Sequence, residues 1–138
     1  MKTNDEREYD LAGRVIGCAM TVHRVLGPGF NERVYQNALS LELAAVGIQF
    51  ENQVKLCVYY KERPVGDFEA DMIVENNLVL ELKAVETITK SHEVQLVNYL
   101  ATTKIDEGLL INLGSDSLQY RKKFRTYKHQ GDPPSLQA

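Results

Sequence analysis

The stretch that decides the fold is Phe68-Glu69-Ala70-Asp71-Met72-Ile73-Val74-Glu75-Asn76-Asn77-Leu78-Val79-Leu80-Glu81-Leu82-Lys83. Two apolar runs flank the polar break Glu75-Asn76-Asn77, which is the pattern of an antiparallel hairpin. With those three residues as the loop, pairing is symmetric about Asn76 and sets Asp71 opposite Glu81. Their side chains then share a face, with Cβ atoms roughly 5 Å apart. Alternation puts Lys83 on the face of Glu81 and turns Leu78, Leu80 and Leu82 the other way, into an apolar layer.

Opposed like charges destabilise a sheet, and buried charges cost several kcal/mol unless paired. Two arrangements offset that cost. In one, both carboxylates hold a divalent cation, a hard ion such as Mg²⁺ that prefers oxygen ligands and keeps waters for chemistry. In the other, Lys83 neutralises one acid while the second reaches solvent at a sheet edge. Spacing alone leaves both open.

The chain of 138 residues has the size of one domain with a core of two or three layers. Residues 1–128 are expected to form it, with 129–138 as a frayed tail. A composition of 43% hydrophobic and 25% charged residues is that of an ordinary soluble globule. No apolar run approaches the roughly 20 residues of a membrane span, and the start Met1-Lys2-Thr3-Asn4-Asp5-Glu6 lacks the apolar core of a signal peptide. A cytoplasmic location without membrane contact is the expectation. Cys18 and Cys57 lack a CxxC spacing and a histidine cluster, which argues against zinc and disulfide scaffolding and for reduced residues in or near the core. The net charge of -3 conceals an acidic stretch at 5–10 and a basic one at 119–128.

From about residue 9 to 26, Leu11, Val15, Cys18, Ala19, Val22, Val25 and Leu26 keep the spacing of an amphipathic helix, which Gly27-Pro28-Gly29 stops. Asn31 then caps a second helix to about residue 46, with Glu32 in its first turn and Val34, Ala38, Leu41 and Ala45 as the buried stripe. Residues 54–60 read as a strand that joins the hairpin in a three-stranded meander. Ser91 caps a third helix to about 103, with Val94, Val97, Leu100 and Ala101 facing inward. Residues 108–113 form a buried strand, parallel and adjacent to the strand of Glu81 because a helix separates the two. Strand and helix both remain open for 118–127. The order α-α-β-β-β-α-β implies an α/β fold, a mixed sheet flanked by helices.

Asp71 followed by Glu81-Leu82-Lys83 resembles the D-(x)n-ExK core of the PD-(D/E)XK nuclease superfamily. Gly29-Phe30-Asn31-Glu32-Arg33-Val34-Tyr35 matches the signature of the GxxExxY protein family, a branch of that superfamily. Gln95 and Tyr99 fit the Q-x-x-x-Y helix motif of related nucleases. The resemblance implies a restriction-endonuclease-like fold in which Glu32, Asp71, Glu81 and the carbonyl of Leu82 surround Mg²⁺, or Mn²⁺, and Lys83 orients the attacking water. It thus implies a metal-dependent hydrolase of DNA or RNA phosphodiesters, with Gln95, Tyr99 and Tyr35 as supporting or substrate contacts. The competing class is a non-catalytic module that binds nucleic acid or protein on the same fold.

Plainer readings stand beside these. Glu32 also serves as a first-turn acid, Tyr35 as a packed residue with a bonded hydroxyl, and His23 and His92 as helix-end residues with no catalytic part. Arg121, Lys122, Lys123 and Arg125, interleaved with Tyr120 and Phe124, suit a nucleic-acid surface as well as a solvated face. A homodimer would present two sites to the two strands of a duplex.

Overall fold

The computed structural model of the protein describes residues 11–125, so the acidic stretch at 5–10 and the proposed tail at 129–138 lie outside the described residues. Among the described residues, eight elements follow in the order α1 (Leu11–Leu26), α2 (Glu32–Ala45), β1 (Phe50–Tyr60), β2 (Arg63–Val74), β3 (Leu78–Lys83), α3 (Lys90–Thr103), β4 (Glu107–Asn112) and β5 (Gln119–Phe124). The strands form one mixed sheet in sequence order. All neighbours are antiparallel except β3 and β4, which run parallel. That exception is the crossover expected from the helix between them.

Two apolar clusters sandwich the sheet. Ala12, Val15, Ala19 and Val22 of α1 and Tyr35, Leu39 and Leu43 of α2 pack against Met72, Val74, Leu78, Leu80, Leu82, Leu109 and Ile111. On the other face, Leu96 and Leu100 of α3 meet Ala70, Ile73, Val79 and Leu110. The inward turn of Leu78, Leu80 and Leu82 is thus as expected, and the mixed sheet flanked by helices is the α/β arrangement expected. A Cβ on Gly108 would lie 2.9 Å from Leu96 Cδ1, so the absence of a side chain lets α3 settle on β4.

Several local expectations are corrected. The buried residues of α2 are Tyr35, Gln36, Leu39 and Leu43, while Leu41 is exposed. An all-aliphatic stripe omits Tyr35, which is fully buried and among the largest side chains of the core. In α3, Leu96 and Leu100 are buried and Val94 is half exposed. Its N-cap is Thr89, not Ser91, because the Thr89 hydroxyl accepts the His92 N–H and His92 Nδ1 accepts the Thr89 N–H. Val25 and Cys57 are exposed rather than buried. β1 begins at Phe50, four residues earlier than its alternating pattern suggested, and 119–124 form an edge strand. His23 Nε2 donates to the Ser115 carbonyl at 2.8 Å, a structural tie between α1 and the β4–β5 loop.

Candidate active site

The β2–β3 hairpin turns at Glu75 and Asn76, both with positive φ (54° and 56°), as a tight hairpin turn requires. Its register pairs Val74 with Leu78, Ile73 with Val79 and Met72 with Leu80. The next position in that register sets Asp71 against Glu81, and here the ladder changes character. The Asp71 N–H donates to Glu81 Oε2 at 3.0 Å, and the Leu82 N–H donates to Asp71 Oδ2 at 2.8 Å. Each carboxylate therefore takes a backbone hydrogen from the opposite strand. The other oxygen of each has no hydrogen bond within the described residues.

The other side of β2 explains why this position opens toward solvent. Phe68 and Ala70 face α3, whereas Met72 and Val74 face α1 and α2, so strand alternation breaks at Asp71. β1 breaks at the same level, where Val54 and Leu56 pack toward α3 and Phe50 toward the opposite core. Between them Gln53 adopts φ 52°, and the Gln53–Asp71 pair is missing from an otherwise continuous register from Phe50 to Val58. Such a paired switch leaves Asp71 accessible from the α2 side. No feature of the sequence signalled it.

Burial sets the charge states. Glu81 is only 6% exposed, and its pKa is pushed up to about 8, first by desolvation and then by the charge of Asp71. Burial also raises Asp71, opposed by the Leu82 N–H and the cations of Lys83 and Arg33. Glu32 is raised by burial and pulled down by Lys83 while feeling Asp71. These mutual interactions bring Glu32, Asp71, Glu81 and Lys83 into one electrostatic group. Glu32 and Asp71 line a common cleft of about 500 Å³ together with Asn31, Arg33, Gln36, Gln53 and Ala84.

Glu32 reaches the cleft because of how α2 begins. Asn31 Oδ1 caps the Val34 N–H at 3.1 Å. The buried Tyr35 hydroxyl donates to the Gly27 carbonyl at 2.6 Å and accepts the Phe30 N–H at 3.2 Å, pinning the loop before the helix. Gly29 in that loop has φ 117°, a conformation that a side chain would resist. The G-x-x-E-x-x-Y spacing is thus a loop clasp that presents Glu32, and Tyr35 acts through packing and its bonded hydroxyl.

Tyr99 stacks on Phe68 with centroids 3.9 Å apart, and its hydroxyl pKa is raised by burial and by the charges of Glu81 and Asp71. Gln95, one turn earlier, is exposed. The basic residues of β5 and Arg125 just after it lie elsewhere and face acids. Lys123 pairs with Glu93 at 2.9 Å, Lys122 with Glu107 at 2.9 Å and Arg125 with Asp106 at 2.9 Å, while Arg121 lies 4.0 Å from Glu93. The residues that sequence reasoning missed are Arg33, Gln36, Gln53 and Phe68.

Two hard-oxygen donors on facing strands, Glu81 buried and Asp71 half-buried, each with one uncommitted oxygen, suit a divalent cation that retains most of its waters. Among the described residues no three His, Cys, Asp or Glu side chains gather closely enough to cage an ion. The chemistry of these donors, hard carboxylate oxygens, fits a divalent cation.

The sequence profile of the PD-(D/E)XK nuclease superfamily matches residues 9–125. The chain belongs to this superfamily. In fold, the superfamily member described here is similar to the crystal structure of SSO0001, with a TM-score of 0.57, 18% identity and 70% of this chain covered. It spans about half of that protein, 52% of its length. No curated protein is similar enough in sequence to count as a relative. Among the described residues of this PD-(D/E)XK chain, no helix is long and apolar enough to cross a membrane.

Proposed function

We propose that this chain is a GxxExxY-type nuclease that hydrolyses phosphodiester bonds of DNA or RNA. The observation that carries this reading is the Asp71–Glu81 pair, a half-buried and a buried carboxylate substituting for ladder bonds at the level where the sheet changes faces. Fold stability alone gives no reason to bury them together.

Asp71, Glu81 and the Leu82 carbonyl would hold Mg²⁺ or Mn²⁺, with Glu32 within reach through water. When bound, the cation lowers the pKa of a water and offsets charge on the phosphoryl oxygens. Lys83 places a further positive charge beside the same oxygens and orients the attacking water. Water attacks phosphorus, the P–O ester bond breaks, and the products are a phosphomonoester and a free hydroxyl. Glu81 must give up its proton before the cation loads, and Tyr99 with Phe68 walls the site on the α3 side.

Cleavage of labelled DNA and RNA in Mg²⁺ tests this directly. Asp71→Ala, Glu81→Ala and Lys83→Ala should each abolish it without unfolding the protein. Cleavage that survives all three changes, or that persists in excess EDTA, would overturn the mechanism.

A further inference from the structure

The cleft beside Asp71 has polar capacity that hydrolysis does not use. Its inner wall is Gln36, which is 5% exposed and whose side-chain amide donates to Gln53 Oε1. Gln53 Nε2 in turn reaches Glu69 Oε1 at 3.4 Å, so Gln53 is fixed from both sides. Its left-handed φ of 52° sits in the interior of a strand, where a residue other than glycine is strained. Strain held by a side-chain network beside a catalytic centre points to a function for that side chain. Arg33 lines the same cleft and its guanidinium has no hydrogen bond or ion pair with any described residue, and the side-chain Oε1 of Gln36 accepts none.

We propose that this cleft is a nucleoside subsite. The base next to the cleaved phosphodiester lies against the Gln36–Gln53 amides, and Arg33 takes the phosphate on its far side. The proposal rests on the nuclease reading and specifies part of its substrate. Primary amides offer a donor and an acceptor side by side, the complement of a base edge. Glu32 and Asp71 line the cleft and repel any phosphate beyond the one whose charge the cation offsets, which leaves the uncharged base and sugar as the fitting occupant. The guanidinium of Arg33 suits a phosphate at the rim. A cleft of about 500 Å³ accommodates a small molecule and not a duplex, and a base edge is free for amide contacts only when unpaired. The ligand class is therefore an unpaired nucleotide within single-stranded DNA or RNA.

The test uses the full chain in EDTA, titrated by fluorescence anisotropy against labelled single-stranded homopolymer octamers of DNA and RNA across salt. Wild type should distinguish the bases. Arg33→Gln should weaken every oligomer roughly fivefold and lower the salt slope by about 0.7, the value for one contact on a single strand. Gln53→Ala and Gln53→Gly should each lose about tenfold on the preferred base and flatten the preference. Because glycine tolerates the backbone conformation, Gln53→Gly should do so while keeping the thermal midpoint at or above that of wild type. Wild-type base preference in both Gln53 variants would overturn the subsite. So would binding losses that merely track a falling midpoint. Cleavage by wild type in Mg²⁺ is measured on the same oligomers. If it cleaves while the variants keep its base preference, the subsite alone fails; if it neither binds nor cleaves, both readings fail.

Discussion

Asp71 and Glu81 are joined through each other's strands: Glu81 Oε2 holds the Asp71 N–H at 3.0 Å, and Asp71 Oδ2 holds the Leu82 N–H at 2.8 Å. Such bonds favour the charged carboxylates, while burial and mutual repulsion oppose them. For Glu81 burial wins, and its pKa rises from an ordinary 4.5 to about 8.

The first consequence is a pH-dependent stability. Between about 4.5 and 8 the folded protein keeps a proton on Glu81 that the unfolded chain has lost. This contribution is fully present below about 4.5 and disappears as pH rises through about 8, so metal-free protein is less stable at pH 9 than at pH 5 on account of this group. Glu81→Gln should remove that slope and exceed wild type at pH 9 by a few kcal/mol. Urea denaturation in EDTA at several pH values measures it.

Metal binding should show the same proton. Apparent Mn²⁺ affinity should rise toward about pH 8 and level off beyond it, with close to one proton released at pH 7. Calorimetry in two buffers of different ionisation enthalpy reads that proton, and Asp71→Asn should abolish saturable binding.

Removing one oxygen from the loop clasp has a separable effect. Tyr35→Phe strips partners from the Gly27 carbonyl and the Phe30 N–H and should cost about 1–3 kcal/mol. Because the loop presents Glu32, cleavage should fall further than the loss of folded protein accounts for. Thermal unfolding and cleavage rate, taken together, check this.

The junction after Lys83 is built without slack. Buried Asn112 accepts the Val85 N–H at 3.0 Å and donates to the Val85 carbonyl at 2.8 Å, and a Cβ on Gly114 would come within 2.5 Å of the Ala84 and Val85 backbone. Gly114→Ala should therefore destabilise by about 2 kcal/mol or more, because the obstacle is backbone and cannot rotate away. Chemical denaturation decides it.

On β5, neutralising Arg121, Lys122, Lys123 and Arg125 together should weaken nucleic-acid binding and leave metal affinity unchanged. Their acidic partners already offset part of the charge, so the salt slope on duplex should fall by less than about 0.9 per residue. Salt titrations of wild-type and neutralised protein measure the difference.

The hairpin register was legible because a polar break at 75–77 admits one symmetric pairing that buries Leu78, Leu80 and Leu82 on one face. The β3–α3–β4 crossover followed from connection length, while Glu32 entered only through the resemblance of Gly29, Glu32 and Tyr35 to a family signature, and it lines the cleft with Asp71. The face switch was not legible. It depends on Gln53 taking a left-handed φ although the residue at that position is neither glycine nor asparagine, and on tertiary bonds to Gln36 and Glu69. The stripes of α2 and α3 were misjudged for a related reason. Both helices mix polar and apolar residues around much of their circumference, so the neighbouring sheet decides which side is buried.

Substituting carboxylates for carbonyls at one rung of the hairpin also divides its amides into two kinetic classes. The β3 amides that pair with backbone should exchange their hydrogens with deuterium only when the sheet opens, since β3 is flanked by a strand on both sides. Those of Asp71 and Leu82 are released when a single side chain rotates, with the strands still in place, and are held more weakly when that side chain is protonated. These two peptide groups should act as built-in reporters of the site, exchanging at rates that follow the state of the carboxylates while the rest of the sheet stays silent.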